Sequence, residues 1–151
     1  MPSALGEARG EMTMYATVKD PGLSSLYKQD AAHLGIQLDA AEKVTVDTLD
    51  QFCEQANITY IHLLKLDVEG YEYKVLQGAR HMLAEGRISY IQFEFGRTNI
   101  AARTYLRDFF DLLGTRYRFY RIVKDGLYPI TYNEKREIFW TTNFVAELIT
   151  P

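Results

Sequence analysis

The chain of 151 residues contains one cysteine, Cys53, which excludes an intrachain disulfide and suits a reducing compartment. It has no run of about 18 or more apolar residues to cross a bilayer. Met1-Pro2-Ser3-Ala4 lacks the basic and apolar regions of a secretory leader, so a cytoplasmic location is expected. The three histidines, His33, His62 and His81, are scattered, with no HExxH pattern or Cys/His cluster, which leaves zinc out of the reading. With 17 Lys and Arg against 20 Asp and Glu, net charge −3, no general attraction to nucleic acid or an anionic membrane is expected. Repeats, low-complexity stretches and an interdomain linker are missing too. So is a nucleotide-type glycine loop: the pairs Gly6 with Gly10 and Gly22 with Gly35 do not follow an apolar strand and open a helix.

What is there suffices for one globular domain over residues 1–151. At 47% hydrophobic content, a chain this long can bury roughly 68–70% of its unfolded surface. The most informative stretch runs from Leu63 to Ala79. An apolar run, Ile61 to Leu66, meets Asp67-Val68-Glu69-Gly70, and the apolar spacing then becomes helical at Tyr71, Val75, Ala79 and Leu83. This reads as a buried strand, a tight turn and a helix, with Glu72, Gln77 and Arg80 off the apolar stripe. In open α/β sheets the crevice beyond the carboxyl ends of the strands is where ligands bind.

Lys65-Leu66-Asp67-Val68-Glu69-Gly70-Tyr71-Glu72, followed by Val75-Leu76-Gln77-Gly78-Ala79, resembles the signature of FkbM-type methyltransferases. The resemblance implies a three-layer, Rossmann-like α/β fold, a mostly parallel sheet with an antiparallel carboxyl-terminal hairpin, and S-adenosylmethionine (SAM) as methyl donor. It also implies O-methylation of a small-molecule acceptor such as a sugar or a polyketide-like hydroxyl compound. Ala4-Leu5-Gly6, a second glycine and a short strand look like the stretch after the family's third sheet strand. The chain is therefore expected to match the carboxyl-terminal part of the family and to lack its amino-terminal cofactor motif.

Along the rest of the chain, Glu11 to Ala16 alternates as a strand, and Pro21 to Leu26 reads as a solvated loop, although Ser24-Ser25-Leu26 resembles a family loop near the substrate mouth. His33-Leu34-Gly35-Ile36 is a connector. Val44-Thr45-Val46 is a short strand, and Thr48-Leu49-Asp50-Gln51 fits a capping box for a helix burying Leu49, Phe52, Cys53 and Ala56. Cys53 thus belongs to the core. Ile88 to Phe95 is the next strand, joined to Leu66 by a βαβ crossover that brings Glu94 to the crevice. Asn99 to Leu113 predicts one amphipathic helix ended by Gly114, with Ala102, Tyr105, Leu106, Phe109, Phe110 and Leu113 inward. Tyr117 to Val123 and Phe139 to Glu147 are β-prone on either side of the Asp125-Gly126 turn signal, giving an antiparallel pair. Arg116 to Arg121 interleaves basic and aromatic residues; an amphipathic edge strand is preferred to a nucleic-acid platform.

For catalysis, Asp67, Glu69 and Glu94 are the candidates, with Asp67 first. In an extended strand Lys65, Asp67 and Glu69 share a face at steps of about 6.6 Å. A carboxylate there can accept the proton of an acceptor hydroxyl or orient it. Asp67, Val68 and Gly70 are the possible cofactor contacts, Gly70 because it permits both a tight corner and a close ligand approach. Competing roles are electrostatic capping of the next helix by Glu69, a Glu94–Arg97 pair, and a structural Lys65 ion pair. Asp67, Glu69 and Glu94 also suit a hard divalent cation, though without a fixed ligand spacing, and paired carboxylates suggest a glycosidase, although proximity in sequence is not the required separation across a bond. No metal is assigned. The other class is a truncated, inactive α/β binding or interaction module. An incomplete sheet would leave an edge exposed, from which self-association is expected.

Overall fold

The computed structural model describes residues 3–16, 24–27 and 40–149. The His33 to Ile36 connector and residues 21–23 of the Pro21 to Leu26 loop lie outside them. The described residues form two sheets. In the smaller, β1 (Ser3–Leu5) pairs parallel and β2 (Gly10–Ala16) antiparallel with the central β3 (Ala40–Asp47). The strand expected at Val44 is thus longer, with Val44 and Val46 turned inward.

The larger sheet has the order β4-β5-β8-β6-β7, from β4 (Ile61–Leu66), β5 (Ile88–Phe95), β6 (Tyr117–Val123), β7 (Gly126–Ile130) and β8 (Thr142–Leu148). Only β4 and β5 pair parallel, through the expected crossover; the β5–β8, β8–β6 and β6–β7 pairs are antiparallel. The expected mostly parallel sheet is corrected: the two sheets are mostly antiparallel. The reason lies in the carboxyl-terminal third. The Asp125-Gly126 turn closes a hairpin between β6 and β7, and β8 then inserts between β5 and β6. The β6–β8 pair is the antiparallel pair expected from sequence, but β6 is interior and β7 takes the edge.

Helices cover one face of this sheet. Ile91, Phe93 and Phe95 alternate inward along β5 and join Leu66, Val75, Leu76, Phe109, Phe119, Phe144 and Ala146 in one hydrophobic cluster. Phe93 stacks on Phe109 at a centroid distance of 4.4 Å and 3° between planes. The other face, carrying Leu63, Tyr90, Ile122 and Leu127, is exposed, with Leu63 at 57%. A three-layer sandwich is therefore corrected to two layers among the described residues.

Two expected helices are each broken. Tyr71 to Leu83 divides into α2 (Glu72–Gln77) and α3 (Arg80–Ala84), although Tyr71, Val75, Ala79 and Leu83 are all buried as their spacing requires. At the break the Gly6 carbonyl oxygen would stand 2.1 Å from a Cβ on Gly78, and Asp50 accepts the His81 and Met82 N–H groups at 2.8 and 3.0 Å. A cap from a distant residue thus starts a new helix. Asp50 itself belongs to α1 (Leu49–Gln55), where Thr48 Oγ1 accepts the Gln51 N–H as expected, while the Gln51 amide bonds Glu54. Leu49 and Cys53 are buried, but Phe52 and Ala56 are exposed. Burial pushes the Cys53 thiol up, and Asp50 adds to this, as suits a core cysteine.

The Asn99 to Leu113 helix breaks into α4 (Thr98–Ala102) and α5 (Leu106–Leu113), with Arg103 left-handed at φ 52° between them. Asp108 accepts the Tyr105 N–H, and Glu137 accepts those of Leu106 and Arg107, satisfying the start of α5. Leu106, Phe109 and Leu113 are buried, whereas Tyr105 is exposed; Gly114 ends the helix as expected.

Candidate functional site at the strand-end corner

Leu66 is the last residue of β4, and its buried side chain anchors the start of the corner. The chain then leaves the sheet through two consecutive positive φ values, 52° at Glu69 and 98° at Gly70, before α2 begins. A left-handed conformation is ordinary for glycine and strained for glutamate, so Glu69 is held there by its surroundings. Gly70 makes the tight turn expected of it. The space freed by its missing side chain is taken by Thr98, whose carbonyl oxygen would lie 2.9 Å from a Cβ. On that side Gly70 serves the packing of α4 against the corner.

Asp67 is about half exposed and bonded to Lys65 Nζ at 2.9 Å. Glu94, near the end of β5, and Glu69 are both partly buried. Burial pushes the Glu69 carboxyl above the usual range, helped by the charges of Glu94 and Asp67 and opposed by Arg97. Burial likewise raises Glu94, with Asp67 adding to the effect and Lys65 opposing it. The three expected site residues are thus brought within electrostatic reach of one another at the carboxyl ends of the two parallel strands. The charge of Arg97, expected to serve Glu94, acts on Glu69 instead. Three carboxylates outweigh the two cations beside them, so the crevice favours a positively charged group.

Two residues at this corner escaped the sequence reading. Glu72, assigned to the outer part of its helix, is 1% exposed. Its Oε1 accepts the Val68 N–H at 3.0 Å, and burial pushes its carboxyl up to about 7 against backbone hydrogen bonds that favour the ionised form. Its place inside the Asp67 to Glu72 motif, in the first helical turn after an acidic corner, was the available signal. Ser25, read as part of a solvated loop, is buried and donates from Oγ to the Glu69 carbonyl at 2.9 Å. The solvated-loop reading is corrected at Ser25.

A cleft of about 740 Å³ lies elsewhere, lined by Thr48, Gln51, Cys53, Glu54, His81 and Arg87 among others, and contains none of the corner carboxylates. It follows from the packing of α1 on α3 around Asp50. Among the described residues no three His, Cys, Asp or Glu side chains are arranged to hold a metal ion. No helix among them is long and apolar enough to cross a membrane.

A parallel strand pair whose carboxyl ends carry an acidic corner is the place at which open α/β sheets bind ligands. The model of the methyltransferase FkbM domain matches residues 3–121, and the chain belongs to that family. The match spans both sheets' parallel pairs and the corner itself, and it indicates methyl transfer in general. No curated protein and no solved structure matches the chain.

Proposed function

We propose that the protein is an FkbM-type, SAM-dependent O-methyltransferase acting on a hydroxyl of a small molecule, such as a sugar or a polyketide-like compound. The observation that carries this reading is the acidic corner lying within the matched methyltransferase domain. The group fits on its chemistry: SAM is cationic at sulfur, and Glu69 and Glu94 are raised by burial and by neighbouring negative charge, which a cation would relieve. When bound, SAM supplies a methyl group already activated by its sulfonium centre. Asp67, Val68 and Gly70 are the proposed contacts of the corner with it.

Asp67, bonded to Lys65 Nζ at 2.9 Å, is the proposed group that orients the acceptor hydroxyl and accepts its proton. Glu69 and Glu94 stand behind it and keep the crevice negative. A cytoplasmic setting is part of the same proposal and accords with the single buried cysteine. Transfer of labelled methyl from SAM to a panel of sugar and polyketide hydroxyls, by the wild-type chain and by Asp67→Asn, tests the assignment. Asp67→Asn should lose at least 100-fold in rate at unchanged stability; equal rates would remove Asp67 from the mechanism.

The exposed sheet face favours a second reading, an α/β interaction module that does not turn over SAM. Leu63 and Tyr90 give that face apolar surface beside the β4 edge, which is unpaired among the described residues, and such edges pair with other chains. Self-association through this edge is part of that proposal.

A further inference from the structure

Two backbone groups beside Glu69, the Val68 N–H and the Glu69 carbonyl, each meet a buried side chain from a different part of the chain. Before it, the Val68 N–H donates to Glu72 Oε1 at 3.0 Å; after it, the Glu69 carbonyl accepts from Ser25 Oγ at 2.9 Å. Glu72 and Ser25 are 1% and 2% exposed, so neither bond competes with water. The third side of the turn is closed by Thr98, against which Gly70 packs.

Between these contacts Glu69 holds φ 52°, a left-handed conformation that is strained for a non-glycine residue. Burying Glu72 is costly too, and its Oε2 has no hydrogen-bond partner among the described residues. A chain that needed only a strand-to-helix turn would do so more cheaply with an exposed polar residue in place of Glu72. Two buried polar side chains and a strained glutamate meeting at one corner form a local departure from stable design.

We propose that Glu72 and Ser25 are positioning residues: they clamp the backbone at the Val68 N–H and the Glu69 carbonyl and so fix the Asp67 and Glu69 carboxylates against Glu94. Neither is required to touch substrate. The inference rests on the methyl-transfer reading for its purpose, but its physical content concerns the corner alone.

The test compares Glu72→Gln, Glu72→Ala and Ser25→Ala with the wild-type chain by amide hydrogen exchange, by carboxyl NMR titration of Glu69, and by isothermal titration with SAM. Glutamine keeps an acceptor for the Val68 N–H, so Glu72→Gln should keep the protection of that amide. Glu72→Ala should lose at least tenfold protection at Val68, while Phe93 and Ala146, deep in the sheet, stay protected. In Glu72→Ala and Ser25→Ala the Glu69 carboxyl should swing out and titrate closer to its ordinary value, and SAM affinity should fall at least tenfold. Unchanged Val68 exchange and unchanged Glu69 titration in folded alanine variants would overturn the proposal. If Glu72→Ala does not fold, Ser25→Ala and Glu72→Gln decide it: an unmoved Glu69 in the first, or lost Val68 protection in the second, counts against the clamp. A wild-type chain that binds no SAM would refute the functional reading, while exchange and titration would still decide the clamp.

Discussion

Replacing Glu72 by glutamine should make the protein more stable at pH 8 and leave it nearly unchanged at pH 4. In the folded chain the Glu72 carboxyl is pushed from 4.5 to about 7, chiefly by burial, with the charge of Glu94 acting in the same direction. The unfolded chain releases this proton near 4.5, so between about pH 4.5 and 7 the folded state holds one proton more than the unfolded state. Stability from this group is therefore complete below pH 4.5 and falls as the pH rises to about 7. At about 1.36 kcal/mol per pH unit, the displacement from 4.5 to about 7 corresponds to about 3 kcal/mol. Glutamine resembles the protonated acid and has no such titration. Urea unfolding of both proteins from pH 4 to 8.5 checks this. Glu69 and Glu94 titrate in both, so most of their contribution cancels in the difference. The stability of Glu72→Gln relative to wild type should rise by about 3 kcal/mol across that range. Parallel profiles would refute the burial of an ionisable carboxyl at this corner.

Other consequences can be measured on the same chain. Asp67→Asn should change unfolding stability by no more than about 0.5 kcal/mol, because Asp67 and its Lys65 partner are both about half exposed, and a larger loss would make the pair structural. Gly70→Ala should destabilise by about 1–3 kcal/mol, since alanine would take up φ 98° with its Cβ against the Thr98 carbonyl; a neutral change in urea unfolding would contradict that packing. Phe109→Ala should cost about 3–5 kcal/mol, because its ring is fully buried and stacked on Phe93. Light scattering should show concentration-dependent association that Leu63→Lys weakens, and a monodisperse monomer at all concentrations would remove the proposed edge contact.

Local periodicity revealed most of the elements. The apolar run at Ile61, the alternation from Ile88 and the stripe at Tyr71, Val75, Ala79 and Leu83 each reflect burial on one side, which nearby residues encode. What periodicity does not encode is interruption from a distance. Asp50 starts α3 from 31 residues away, and Glu137 starts α5 from beyond β6 and β7, so two continuous patterns became four helices. Strand order is likewise non-local: inserting β8 between β5 and β6 turned an expected parallel sheet into a mostly antiparallel one.

The corner shows the same division. Its carboxylates were legible because Asp67, Glu69 and Gly70 follow a strand, and Glu94 followed from the crossover. The clamp was hidden, since Glu72 turns back into its own corner and Ser25 arrives from 44 residues earlier. A helical wheel assigns a residue to a face by its position alone. At the first turn of a helix the free N–H groups of the preceding turn can draw a carboxylate inward instead.

Methyl transfer at this corner requires that the chain take up a methyl donor, and isothermal titration of the wild-type chain with SAM tests that most directly. The proposed function predicts saturable, single-site heat that weakens when the charges of Asp67 and Glu94 are removed together. A flat titration of folded protein would contradict it and leave the interaction-module reading in its place.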